Sequence, residues 1–262
     1  MSATWHSRQS LAEDLRLLGV GGGMALIAHT SLKRVGQVIG GAAAVVLALE
    51  DALGAGGTLV MPTQTEHLCD PAELGDRYPV ELWPQVREHM PLYHPDLTPT
   101  AHMGFVAETF RKQEGTRRSG HPHVSFAARG PRAREIVDDH GMHYALGEDS
   151  PLQRLYDLGG HILLLGAPKD SNTSLHLAEY SQENTFVQPK DWDVKLLLEG
   201  EERWVKYRDI NNESEDFGRI FDDFERDGGR VRAGRVGDAA SYLAPMREMV
   251  DYAVGWMNRE RR

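Results

Sequence analysis

Met24-Ala25-Leu26-Ile27-Ala28 runs into His29-Thr30-Ser31. Gly40-Gly41 then opens an Ala-, Val- and Leu-rich stretch through Leu53, Gly54-Ala55-Gly56-Gly57 closes it, and Thr58-Leu59-Val60-Met61-Pro62 follows. The two short apolar runs, 24–28 and 58–61, predict buried strands. The stretch between them is long enough for a helix, and trailing glycines end it as C-terminal glycines do. Strand, helix, strand is a βαβ unit, with parallel strands and a right-handed crossover. His161-Ile162-Leu163-Leu164-Leu165 predicts a third buried strand, again followed by glycine.

Working outward, Leu11, Leu15 and Leu18 recur at helical spacing behind Ser10, with Glu13 three residues on. That is a capping-box pattern with Ser10 as N-cap, and Gly19 to Gly23 break the helix. Ser171 or Asn172 is positioned to cap a helix from about Thr173 to Glu183. Residues 66–99 are rich in Pro, His and acids and predict a long, partly irregular excursion outside the core. Val194–Leu198 and Arg203–Tyr207 flank a Glu-Gly-Glu turn at 199–201 and predict a β-hairpin. A last helix is expected over about Ala239 to Arg259. The fold class is α/β: a parallel βαβ core with helices on both faces, plus a C-terminal antiparallel hairpin region. One domain over residues 1–262 is expected, with a core at about 10–190 and an acidic segment at about 191–227.

Composition narrows the function. The 262 residues are 40% hydrophobic and 26% charged, which excludes disorder, collagen and a disulfide scaffold. Cys69 stands alone, so no intrachain disulfide forms, and nothing near it is arranged to lower its pKa. The first residues lack signal-peptide character and no apolar run approaches a membrane span, so a cytoplasmic protein is expected. Net charge is −10, of which −7 falls between Asp191 and Asp227, with thirteen acids against six bases. No basic stripe for nucleic acid is present. The acidic stretch suits a cationic partner, and reads equally as a solvated face.

Ligands of open α/β sheets bind beyond the carboxyl ends of parallel strands. Here those ends carry His29-Thr30-Ser31, then Pro62-Thr63-Gln64-Thr65-Glu66-His67, then Lys169 to Thr173. Thr173, His176, Glu179, Tyr180 and Glu183 share one helical face, and a carboxylate one turn from an imidazole orients it and raises its basicity. The loop from Thr30 to Gly40, with Ser31, Lys33, Arg34 and Gly36, suits a phosphate, as does Arg117-Arg118-Ser119. A metal reading rests on His67, Asp70, His121 and His123, but neither H-E-x-x-H nor a zinc-spaced Cys/His cluster occurs. Walker A and G-x-S-x-G motifs are also absent from the sequence.

Seven blocks in order carry a resemblance. They are His29-Thr30-Ser31-Leu32, Gly40-Gly41, Gly56 to Pro62, Arg118-Ser119-Gly120-His121-Pro122, Ser150-Pro151-Leu152, Leu163-Leu164-Leu165-Gly166, and Asn172 to Glu179. Together the chain resembles the aminoglycoside 3-N-acetyltransferase family from about residue 10 to residue 190. The resemblance implies an acetyl-CoA-dependent transferase, acting on an aminoglycoside amine or a similar polyamine, that confers antibiotic resistance. It implies His176 as general base, with Glu179 in the same motif. It implies His29, Thr30, Ser31, Leu32, Val35 and Gly36 along CoA, with Arg118, Ser119 and His121 bordering it. Asp209 matches an acid that holds the cationic substrate.

The expected mechanism follows from these residues. Glu66, Asp70, Glu183 and Asp209 hold the polycation, and His176 takes the proton from the reacting amine. Thr173, Ser31 or a backbone N–H stabilises the oxyanion. No metal is expected. Two other classes stay open: a metal-dependent hydrolase, and a binder that sequesters cations without catalysis.

Overall fold

A computed structural model describes residues 4–184 and 186–261. The Met-Ser-Ala at the start of the chain, part of the stretch read as lacking signal-peptide character, lies outside the described residues. A seven-stranded mixed sheet organises the chain: β1 Ala25–Thr30, β2 Thr58–Pro62, β3 Arg117–Arg118, β4 Phe126–Arg129, β5 His161–Leu165, β6 Arg232–Val236 and β7 Ala239–Pro245. Their spatial order is β6-β7-β5-β1-β2-β4-β3. Only the central three are parallel: β1 pairs with β2 on one side and β5 on the other. Antiparallel partners flank them, β7 on β5 and β4 on β2. The expected parallel core is therefore three strands wide inside a mixed sheet.

Side chains of a strand alternate between faces. Leu26 and Ala28 of β1, Leu59 and Met61 of β2, and Leu163 and Leu165 of β5 enter one core. Helices Arg8–Leu18 and Gly41–Leu53 cover that face through Leu11, Leu15, Val45 and Leu49. Ile27, Val60, Ile162 and Leu164 enter the opposite core, under helices Phe217–Arg226 and Met246–Glu260. Each fully buried Leu or Ile side chain contributes about 1.5–3 kcal/mol relative to exposure. Two such layers explain why the strands read as unbroken apolar runs.

Several expected elements shift. The first helix starts at Arg8, and Ser7 is its N-cap in a capping box with Ser10. Ser10 closes that box from the helical side, so the apolar pattern begins later than the helix does. Ala239 to Pro245 is strand β7, because its neighbour β5 offers unpaired backbone groups from Leu165 to His161. The final helix begins only at Met246, after Pro245. The segment after β5 is short as well: a 3₁₀ turn Thr173–Leu175, then a helical turn His176–Glu179.

The hairpin spans Pro189–Leu198 and Glu201–Ile210, longer than expected. Glu199 and Gly200 both have positive φ, the backbone that a two-residue hairpin turn of matching twist requires. Its two strands hold the excursion at 66–99. Lys195 Nζ donates to the carbonyls of Glu88 and Met90, at 2.9 and 3.0 Å, and Trp204 Nε1 donates to that of Arg87. That excursion contains 3₁₀ turns and the helix Trp83–His89.

Candidate active site

The parallel alignment of β1, β2 and β5 brings their three polar C-terminal segments to one rim. Ser31 N–H donates to the Leu165 carbonyl at 2.9 Å, so the β1 and β5 ends stay together beyond the last residue of β1. Beyond this rim lies a cleft of about 420 Å³, with walls that include His29, Thr30, Ser31, Asp170, Thr173 and His176. A second cleft, of about 350 Å³, lies between the excursion and the hairpin, against Glu66, Glu73, Trp192, Tyr207 and Asp209. Gln64, Glu66, His176 and Ser214 line both.

His176 stands where the clefts meet. Its Nδ1 lies 2.6 Å from Oε2 of Glu179, one helical turn on. A carboxylate only accepts hydrogen bonds, so Nδ1 carries a proton and Nε2 is the ring nitrogen left for a ligand. Phe217 packs edge-on against the ring at 4.8 Å. The Glu179 side chain has no solvent exposure. Its Oε1 accepts from the Glu213 N–H at 2.9 Å and from Arg261 at 2.7 Å. The imidazole is thereby fixed in tautomer and orientation, as a general base requires.

Two neighbours complete the electrostatics. His29 is held down at about 4 by burial and by the proximity of His176, so it stays neutral near pH 7. Asp209 sits at the base of the hairpin. Burial pushes its carboxyl up, against hydrogen bonds from the Tyr180 hydroxyl and the Ala145 and Ile210 N–H groups. In the second cleft Glu73 pairs with Lys190, whereas the exposed Glu66 side chain has no ion pair among the described residues.

Other expected site residues lie elsewhere. The Arg118 guanidinium donates to the carbonyls of Thr63, Pro95 and Thr98 and stacks on Tyr93, tying the excursion to β2. Ser119 is buried, accepting from Phe126 N–H and bonding His140. His121 is buried too; its Nδ1 accepts from the His123 and Val124 N–H groups while Nε2 donates to Met142. Val35 is core, Leu32 packs against that core, and Gly36, at φ 99°, abuts Asp238. Arg34 donates to the Gly166 carbonyl. None of these seven walls either cleft.

Asp70 forms a two-pronged ion pair with Arg87, which holds its carboxyl below the usual range. Glu183 is exposed past the end of its helical turn. Neither walls the second cleft. The proposed metal set does not assemble: among the described residues no three His, Cys, Asp or Glu side chains are placed to hold an ion. Cys69 does reach the second cleft, but burial pushes its thiol up to about 12, so it stays protonated.

The strand-end rule reached Gln64, which lines both clefts. Sequence reasoning missed Trp192, Tyr207, Ser214 and Arg261. These come from distant segments and leave no local signal.

The sequence model of the aminoglycoside 3-N-acetyltransferase family matches residues 27–258. The chain is 39% identical over 253 residues to the SPbeta prophage-derived aminoglycoside N(3')-acetyltransferase-like protein YokD of Bacillus subtilis, covering 96% of this chain and 92% of that one. The crystal structure of YokD superposes with a TM-score of 0.94, covering 98% of this chain and 95% of the other at 38% identity. Aminoglycoside N(3)-acetyltransferase VII of Streptomyces paromomycinus is 36% identical over 272 residues, covering 97% and 92%. The structure of AAC-IIIb in a binary complex with CoASH matches with a TM-score of 0.87 and 31% identity, covering 98% of each chain.

Proposed function

This chain belongs to the aminoglycoside 3-N-acetyltransferase family, and from that premise we propose how its two clefts divide the reaction. The protein is an acyltransferase that moves acetyl from acetyl-CoA to an amine of an aminoglycoside. Acetyl-CoA enters the first cleft and presents its thioester beside His176, while the cationic substrate enters the second. The single observation that carries this division is that His176 walls both clefts with its Nδ1 already engaged by Glu179.

His176 Nε2 takes a proton from the substrate ammonium. The freed amine nitrogen attacks the thioester carbonyl carbon, and the carbonyl π electrons move to oxygen. Thr173 or Ser31, both on the first cleft wall, donates to that oxyanion. Collapse breaks the C–S bond, the departing thiolate takes the proton held on His176, and the newly acylated nitrogen sheds its remaining extra proton to solvent. The products are an N-acetylated aminoglycoside and free CoA, with no covalent enzyme intermediate. Glu66 and Asp209 face the cationic substrate from the second cleft.

The 3-amino group is the proposed target, and loss of its positive charge is the proposed basis of resistance. A cytoplasmic location, alongside its cosubstrate, is part of the proposal. Among the described residues no helix is long and apolar enough to cross a membrane. Thiol release from acetyl-CoA, measured with kanamycin- and gentamicin-like amines, tests the assignment. Release only when the amine is present, with NMR locating acetyl on the 3-amino nitrogen, is expected. Absence of release with every aminoglycoside would overturn the substrate assignment.

A further inference from the structure

We propose that Arg261 is a positioning residue for the reaction, acting on His176 through Glu179; this rests on the general-base reading of His176. Arg261 follows the last helix and lies beyond the residues matched by the family model. Its side chain is nonetheless buried, at 2% exposure. A buried guanidinium needs a partner for each donor face. Here one nitrogen donates to Glu179 Oε1 at 2.7 Å, and two others grip Asp216 at 2.6 and 2.8 Å. The group also donates to the Glu213 carbonyl at 2.7 Å.

Three consequences follow from this placement. Glu179 Oε1 is fixed by Arg261 and by the Glu213 N–H, which leaves Oε2 directed at His176 Nδ1. The segment carrying Ser214, a wall of both clefts, is held at Glu213 through both its N–H and its carbonyl. Phe217 lies between the two, with His176 at its edge and the Arg261 guanidinium 5.9 Å from its ring centre. Arg261 thus orients the carboxylate and offsets its negative charge, setting how tightly the His176–Glu179 pair holds a proton.

Other charged and titratable groups also surround the imidazole. His29 faces it from β1 and Asp209 from the hairpin. Glu66, Asp170 and His102 share the first cleft wall, with Glu73, Cys69, His123 and Tyr207 across the second. Arg261 is the cation joined directly to the Glu179 carboxylate, so its removal has a defined sign: the pair binds a proton more readily.

The test measures kcat, both KM values, the pH profile of kcat/KM and the urea midpoint in Arg261→Met, Arg261→Lys and His176→Ala. In Arg261→Met, kcat is expected to fall about 10–100-fold, the usual range for a supporting hydrogen-bond partner. KM for acetyl-CoA should hold, and the acid limb should move to higher pH. Arg261→Lys keeps the charge and loses the fork, so its limb should stay in place while kcat falls. Unchanged kcat in either folded variant, or a fall in Arg261→Met with no movement of the limb, overturns the proposal. If Arg261→Met does not fold, Arg261→Lys decides: reduced kcat at constant KM supports the role, and full kcat refutes it. Turnover surviving in His176→Ala would instead refute the general-base reading, so the two failures are distinguishable.

Discussion

Nδ1 of His176 and Oε2 of Glu179 lie 2.6 Å apart on a single helical turn, and the carboxylate side chain is fully buried. An i, i+3 pair on a helix faces one way, so local geometry alone brings the groups together. Burial leaves the carboxylate few orientations, and the hydrogen bond leaves one imidazole nitrogen free on a residue that walls both clefts.

His176→Ala removes that nitrogen. kcat is expected to fall about 10²–10⁴-fold, the usual worth of a general base. Steady-state thiol release, with circular dichroism as a check on folding, measures it; near-normal turnover in a folded variant sinks the assignment.

Glu179→Gln leaves Arg261 with one carboxylate instead of two. Breaking a buried ion pair on one side typically costs about 3–5 kcal/mol. Urea denaturation should show a lower midpoint together with reduced kcat. An unchanged midpoint would mean that the Glu179–Arg261 contact contributes nothing net.

Arg118→Ala separates a structural role from CoA binding. The guanidinium holds three backbone carbonyls across the excursion, so its loss is expected to lower stability by about 2–4 kcal/mol. KM for acetyl-CoA should stay within about threefold, well under the value of a charged hydrogen bond. A large rise in that KM at constant stability would restore Arg118 to the cofactor site.

Glu66→Gln removes a carboxylate that walls both clefts and has no ion pair among the described residues. KM for the aminoglycoside is expected to rise about tenfold, the worth of a charge-assisted contact of roughly 1.5 kcal/mol, with KM for acetyl-CoA constant. Equal rises for both substrates would contradict the division of the clefts.

Stability should depend on buried histidines. Burial holds His29, His123 and His140 at about 4, and His121 well below its ordinary value of 6.5. The unfolded chain therefore binds protons at about pH 6.5 that the folded chain refuses. Stability is fully present above that pH and falls as pH drops from about 6.5 toward 4. Urea midpoints at pH 7.5, 6 and 5 check this, and a flat profile would show that these imidazoles are hydrated in solution.

Much of the fold was legible because it depends on local periodicity. The apolar runs at β1, β2 and β5 located three strands, and the rule that ligands sit beyond parallel strand ends located the first cleft. The β7 segment was misread because Ala239-Ala240-Ser241-Tyr242 carries no strong strand signal, and its pairing with β5 decides its conformation. In sequence Arg117-Arg118-Ser119 suits an anion, and the resemblance sets Arg118, Ser119 and His121 beside CoA. Their side chains instead turn inward onto carbonyls, backbone N–H groups and His140, which no spacing rule reveals.

By itself the sequence determined the α/β class, the family and the His176–Glu179 pair, since unbroken apolar runs, motif order and an i, i+3 spacing are properties of neighbouring residues. Only the tertiary structure decided which acids face a cleft, that Asp70 belongs to Arg87, and that Arg261 reaches Glu179 across 82 positions of sequence. The reason is physical: a buried charge takes whichever partner folding brings within about 3 Å, and long-range packing, not local spacing, determines which partner that is.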